Sequence, residues 1–171
     1  MARYKRPLLD TVLAVGEGLS EVHLLHHLGA LYVPRSCGIT VTVRDAGGKG
    51  AAQVIDYAAS ITRRTEYTRT LVLLDTDTDW TLAARAQAKT CAIAVIPCTP
   101  CLEAVLLQIA GRGGERSTEQ HKRLFRRVFA MTASDERMRG WYAKHWELDA
   151  LMRAQHDVPV LRQLVAELTG N

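Results

Sequence analysis

The hydrophobic positions of the chain fall into two regimes. Through about residue 111, short apolar runs alternate with segments whose apolar residues recur at three- and four-residue spacing. The runs Leu8–Val15, Ile39–Arg44, Thr70–Leu74 and Cys91–Ile96 each read as a strand. Helices are expected from Ser20 to about Leu31, after the Gly47–Gly50 turn to about Arg63, from about Thr81 to Lys89, and over Leu102–Ile109. Ser20 is the expected cap of the first helix, with Glu21 favourable in its first turn.

Strands alternating with helices of this length imply βαβ units and a mainly parallel four-stranded sheet flanked by helices, an α/β fold of the Rossmann-like kind. Strands two to four are nearly continuous apolar runs, as expected of strands covered on both faces. Right-handed crossovers place all the C-terminal strand ends on one edge, where ligands of such sheets bind.

Beyond Gly111 the pattern turns wholly helical after the polar loop "GRGGERS". Helices are expected over 118–129, 134–144, 146–154 and 159–168, with Ser134 and Asp157 as N-caps and Gly170 as the final stop. The chain thus divides into an α/β core, 1–111, and a helical C-terminal extension, 112–171, packed on it as one domain.

Composition changes this picture little. A chain of 171 residues with 47% hydrophobic and 23% charged content can bury an adequate core without staples. The net charge of +4 permits a nucleic-acid partner without demonstrating one. Cys37, Cys91, Cys98 and Cys101 do not form a secreted disulfide framework. The start "MARYKRPLLDTVLAVGEG" lacks a small-residue cleavage site and reads as a strand. No apolar stretch reaches the ~18 residues of a membrane helix, so the expectation is a cytoplasmic protein without membrane contact.

Carboxylates change it more. The first strand ends in "GEGLSE", with Glu17 and Glu21; the third ends in Asp75, Asp77 and Asp79; the fourth leads through "PCTPCLE" to Glu103. A parallel sheet gathers these on one edge. Asp75 and Asp77 share a side if the strand stays extended. Oxygen ligands so gathered suit a hard cation such as Mg²⁺, and two ions can serve both oxygens of a phosphodiester displacement. Asp79 reads more simply as the N-cap of the helix beginning near Trp80 or Thr81. The run is not a Ca²⁺ loop, because Trp80 and Ala86 replace the required Gly and Glu. A phosphatase of the haloacid dehalogenase type would carry its D-x-D after the first strand.

Other motifs carry less. "GGKG" (47–50) lacks P-loop spacing and its hydroxyl residue. "CTPC" (98–101) has the strand-to-helix setting of a redox pair, which would require a depressed thiol pKa at Cys98; buried, idle thiols are the alternative. His23 and His27 lie four apart without an H-E-x-x-H signature. On the helix from Thr118, Lys122, Arg123, Arg126 and Arg127 make two adjacent basic rows, and Leu124 and Val128 an apolar one. The basic rows suit backbone phosphates or a solvated face. Trp141, Tyr142 and Trp146 read as packing anchors.

"VGEG" and "LLDTD" together resemble the TOPRIM family, a compact α/β domain with a Glu after its first strand and an Asp-x-Asp after its third. The motifs "EGLSE" (17–21), "DTD" (75–77) and "PCLE" (100–103), with the tail "VPVLRQLVAELT", resemble more closely the small RloB-like TOPRIM proteins of bacterial defence loci. Leu102 departs from that pattern, where an aromatic is usual, and Gln108 stands near an expected His. The resemblance implies a Mg²⁺- or Mn²⁺-dependent phosphodiester nuclease acting on DNA or RNA in defence. It implies Glu17, Asp75 and Asp77 as metal ligands, Glu21 as a further ligand or base, and Glu103 as a ligand or supporting group. Lys49 would neutralise a phosphate oxygen or leaving group, or is simply a solvated turn residue. The alternative is a catalytically inactive TOPRIM-like subunit that binds nucleic acid or a partner ATPase. A homodimer is compatible with either.

Overall fold

The computed structural model describes residues 10–77 and 79–171. Its element order is β1 (Asp10–Gly16), α1 (Leu19–Tyr32), β2 (Ile39–Asp45), α2 (Ala51–Thr62), β3 (Arg69–Asp75), α3 (Leu82–Thr90), β4 (Ala94–Cys98) and α4 (Leu102–Ile109). The helical tail follows as α5 (Thr118–Phe129), α6 (Arg137–His145), α7 (Leu148–Ala154) and α8 (Pro159–Thr169). The expected start of the first strand at Leu8 and Leu9 lies outside the described residues.

All four strands are parallel, in the order β2-β1-β3-β4. From β1 the chain steps outward through α1 to β2, then crosses back through α2 to β3 and on through α3 to β4. The direction of winding therefore reverses between β1 and β3, which lie side by side. That junction is the crevice where open α/β sheets bind ligands.

Alternate residues of the central strands serve two cores. Val12, Ala14, Leu71 and Leu73 face α1, α4 and the tail, in a cluster that includes Leu24, Leu102, Phe125, Tyr142, Trp146, Leu161 and Leu164. Leu13, Val15, Val72 and Leu74 face α2 and α3, against Val54, Ile55, Ala58 and Ala84. The tail shares the first core, so it is covering one face of the sheet.

Several expectations need correction. β2 is an edge strand, with Thr40 and Arg44 exposed; its apolar side, Ile39, Val41 and Val43, packs on the first core alone. β4 begins at Ala94, because Cys91 ends α3 and Ala92 turns with φ 53°. The cap of α1 is Gly18 and not Ser20. The α6 helix starts at Arg137, whose N–H donates to Asp135 Oδ1 at 2.9 Å, so Ser134 caps nothing. Leu148 and Pro159 open α7 and α8, with Glu147 and Val158 in the cap positions in place of Asp157. Gly170 does close α8, in the left-handed region.

Candidate functional site

Glu17 leaves β1 in register with β3. Its backbone N–H donates to the Leu73 carbonyl at 3.0 Å, which extends the ladder one residue past Gly16. Its side chain then turns across the junction, and Oε2 accepts the backbone N–H of Asp75 at 3.0 Å. Asp75 is the last residue of β3, and its Oδ1 accepts the N–H of Leu102, the first residue of α4, at 2.8 Å. Three elements from separate parts of the chain are joined at one point by two carboxylates.

Glu21 completes the inner layer. It sits at the third position of α1, where its Oε2 accepts the Gly18 N–H at 2.9 Å and satisfies a helix-end donor. The first turn of α1 comes very close to the end of β1. A Cβ on Gly16 would lie 2.8 Å from Glu21 Cβ and 2.9 Å from the Val22 backbone nitrogen, so only glycine fits there.

The electrostatics follow from crowding and burial. Glu21 is nearly inaccessible, at 5% exposure. Its burial, then the Asp75 charge, push its pKa up to about 8. Burial pushes Asp75 up to about 7, with Glu103, Glu17 and Asp77 adding to the rise and the Leu102 N–H opposing it. Both groups keep protons that ordinary carboxylates would have lost, because negative charge is expensive there.

Asp77 is placed differently from its expected position. The strand ends at Asp75, the Thr76 N–H turns to the carbonyls of Cys98 and Pro100, and Asp77 stands exposed beyond the bend. It stays close enough for its charge to reach Asp75 and Lys122. Glu103 is half-buried in the first turn of α4. Lys49 is exposed, on a loop tied to the site by the Gly48 N–H, which donates to the Glu17 carbonyl at 2.6 Å.

Asp79 does not cap α3. Thr81 does, accepting the Ala84 N–H at 3.2 Å. Asp79 instead reaches across to α2, where its Oδ1 accepts the N–H of Ala51, the first helical residue, at 2.7 Å. The N-cap of α2 is Gly50, at φ 86° and without a side chain, and a Cβ there would lie 2.6 Å from the Asp79 carboxylate. Asp79 thus caps a helix that begins 28 residues earlier.

The tail supplies what the sequence did not locate. On α5 the buried stripe is His121, Phe125 and Phe129, while Val128 is exposed, so the apolar row expected at Leu124 and Val128 is misplaced by one position. This rotation splits the basic rows. Lys122 and Arg126 line a cleft of about 250 Å³ with Glu103, Ser20, Thr132 and Ser134. Burial works against the Lys122 ammonium, but Glu103, Asp77 and Asp75 outweigh it and raise its pKa above the ordinary value. Arg123 and Arg127 open onto a separate groove on the other flank. The i, i+4 spacing was the only sequence signal for this division.

The thiols lack the setting of a reactive redox pair. Cys98 and Cys101 are fully buried. Burial, then the Asp75 and Glu21 charges, push Cys98 well above the usual range, and burial with the Glu103 and Asp75 charges raises Cys101 to about 12. A reactive pair requires the opposite shift. The three histidines of α1 line one cavity with Arg139 and Gly140 but sit in different settings: His23 is buried, His26 is exposed, and His27 Nε2 lies 2.8 Å from the Trp146 carbonyl oxygen.

Among the described residues, no group of three His, Cys, Asp or Glu side chains is already disposed as a metal would hold them. Glu17 and Asp75 each engage one oxygen with a backbone N–H. The acids gathered at the sheet's switch point are all carboxylates, the oxygen-donor type that a hard cation takes as ligands. Also among the described residues, no helix is long and apolar enough to cross a membrane. No protein-family model, curated protein or solved structure matches the chain.

Proposed function

We propose that this chain is a divalent-metal-dependent phosphodiester nuclease of the TOPRIM type. The observation that carries this reading is the junction of Glu17 and Asp75 at the point where the winding of the sheet reverses. Glu17, Asp75 and Asp77 are the residues that would hold Mg²⁺ or Mn²⁺, with Glu103 and Glu21 beside them. A divalent ion held there would supply charge neutralisation at the phosphate and would lower the pKa of an attacking water. The chain's own groups do the rest. Lys122, held charged by its acidic neighbours, meets a non-bridging phosphate oxygen from the cleft side. Glu21, protonated up to about pH 8, is a proton holder at the inner wall. The motifs "EGLSE", "DTD" and "PCLE" resemble those of RloB-like proteins, which supports a role in bacterial defence.

The test is cleavage of labelled DNA and RNA with Mn²⁺ by wild type and by Asp75→Asn/Asp77→Asn. The double variant should be inactive with an unchanged circular dichroism spectrum. Equal cleavage by both proteins would refute the mechanism.

One observation favours a second reading, that of a non-catalytic TOPRIM-like module. Glu17, Asp75 and Glu21 each have a structural partner, the N–H groups of Asp75, Leu102 and Gly18. On that reading the carboxylates are joints between elements, and the surface binds nucleic acid or a partner ATPase without chemistry.

A further inference from the structure

The basic character of this protein is concentrated in one place. Residues 112–127 contain six cationic side chains against two carboxylates, a surplus of four that equals the formal net charge of the whole chain. Arginines elsewhere can be paired, as Arg69 is with Asp10 and Arg137 with Asp135. Among the described residues, Arg123 and Arg127 make no ion pair, and both are exposed.

The buried stripe of α5 fixes which way these charges face. With His121, Phe125 and Phe129 turned into the core, Lys122 and Arg126 flank the helix on the carboxylate side and Arg123 and Arg127 on the other. The outer row faces a groove of about 590 Å³, also lined by Arg116, Gln120, Leu124 and Glu115. Arg116 is fixed at its rim, because Nη1 donates to the Gly113 carbonyl at 3.2 Å and to the Arg112 carbonyl at 3.4 Å. Three guanidiniums therefore face one open groove against a single carboxylate. Neighbouring helical residues point about 100° apart, which separates the ends of the two rows by roughly 9 Å. Nearby phosphates of one strand, one or two nucleotides apart, can span that separation with the reach of the long basic side chains.

We infer that the outer groove is a second phosphate subsite, so that the ligand is a polynucleotide strand lying across α5. One phosphate rests over the Glu103–Lys122 cleft while a neighbouring one is held by Arg116, Arg123 and Arg127. The inference rests on the nuclease reading for the first position only; the second stands on charge and geometry.

The test measures binding of a fluorescein-labelled 12-nucleotide single strand, and of the same sequence as a duplex, by anisotropy in EDTA over a range of salt. Wild type is compared with Arg123→Gln/Arg127→Gln and with Arg123→Lys/Arg127→Lys. For the single strand, loss of two phosphate contacts should reduce the slope of log K against log salt by about 1.4. The lysine pair should retain the slope, which shows that the glutamine pair acts through charge and not through misfolding. An unchanged slope in the glutamine pair, or no binding of either probe by wild type, overturns the inference. A wild type that binds in this way yet cleaves nothing with Mn²⁺ would refute the nuclease reading and leave the groove standing. Cleavage by a wild type whose binding ignores Arg123 and Arg127 would refute the groove alone.

Discussion

The Glu17 carboxylate accepts the backbone N–H of Asp75, so the end of β1 is bonded to the end of β3 through the side chain of one candidate ligand and the main chain of the other. The two acids cannot be perturbed independently. Replacing Glu17 with Gln removes a charge but keeps an acceptor for that N–H. Replacing it with Ala leaves the Asp75 N–H unpaired at a half-buried position, a loss of about 1–3 kcal/mol. Glu17→Ala should therefore melt below Glu17→Gln in EDTA, as thermal circular dichroism would show. Equal melting would mean that the junction bond contributes nothing.

Acidity in the site should be visible in stability. Glu21 has an ordinary value of 4.5 and about 8 in the fold; Asp75 goes from 3.8 to about 7. The folded chain holds these protons more tightly than the unfolded chain does. Their contribution is therefore complete below about pH 4 and is lost as pH rises through 7 and 8. In EDTA, the stability of wild type relative to Glu21→Gln should fall steadily from pH 5 to pH 8.5. Denaturant titrations at each pH read this difference directly, and a constant or rising difference would contradict the assigned shifts. Saturating Mn²⁺ at pH 8.5 should recover the loss, since a bound cation replaces the missing protons.

Asp79 provides a test confined to structure. Asp79→Ala should uncap α2, costing about 1 kcal/mol and roughly 2–4 °C in Tm. Amide exchange should accelerate at Ala51, whose N–H loses its acceptor, and remain slow at Ala84, which Thr81 still serves. Acceleration at Ala84 in place of Ala51 would restore the local capping role expected from the sequence.

That case marks where sequence reasoning reached its limit. The strands were legible because β1 and β3 are buried on both faces and read as apolar runs. The clustering of Glu17, Asp75 and Glu103 was legible because parallel connectivity places all C-terminal strand ends on one edge. Asp79 was not, since a nearby helix start always offers the simpler cap, and only the tertiary fold brings Ala51 within 2.7 Å. Asp77 was expected beside Asp75 from strand alternation, but the chain bends at Thr76 to bond with Cys98 and Pro100. The rotation of α5 was misjudged because Leu124 and Val128 are apolar, whereas the core takes His121 with Phe125 and Phe129. A histidine in a buried stripe is a signal that hydrophobic periodicity discards.

The thiols give a prediction in the negative sense. At pH 8, iodoacetamide should label exposed Cys37 readily and leave Cys98 unmodified until the chain is unfolded. Mass spectrometry of the alkylated protein reads both sites. Fast labelling of Cys98 in the native state would contradict its burial and reopen the redox reading.

The central claim, that Glu17 and Asp75 jointly hold a divalent cation, is tested most directly by isothermal titration of Mn²⁺ into wild type, Glu17→Gln and Asp75→Asn. Binding by wild type that weakens at least tenfold in each variant is the expected result. No binding by wild type, or binding indifferent to both substitutions, would contradict the claim and leave the carboxylates as joints of the fold.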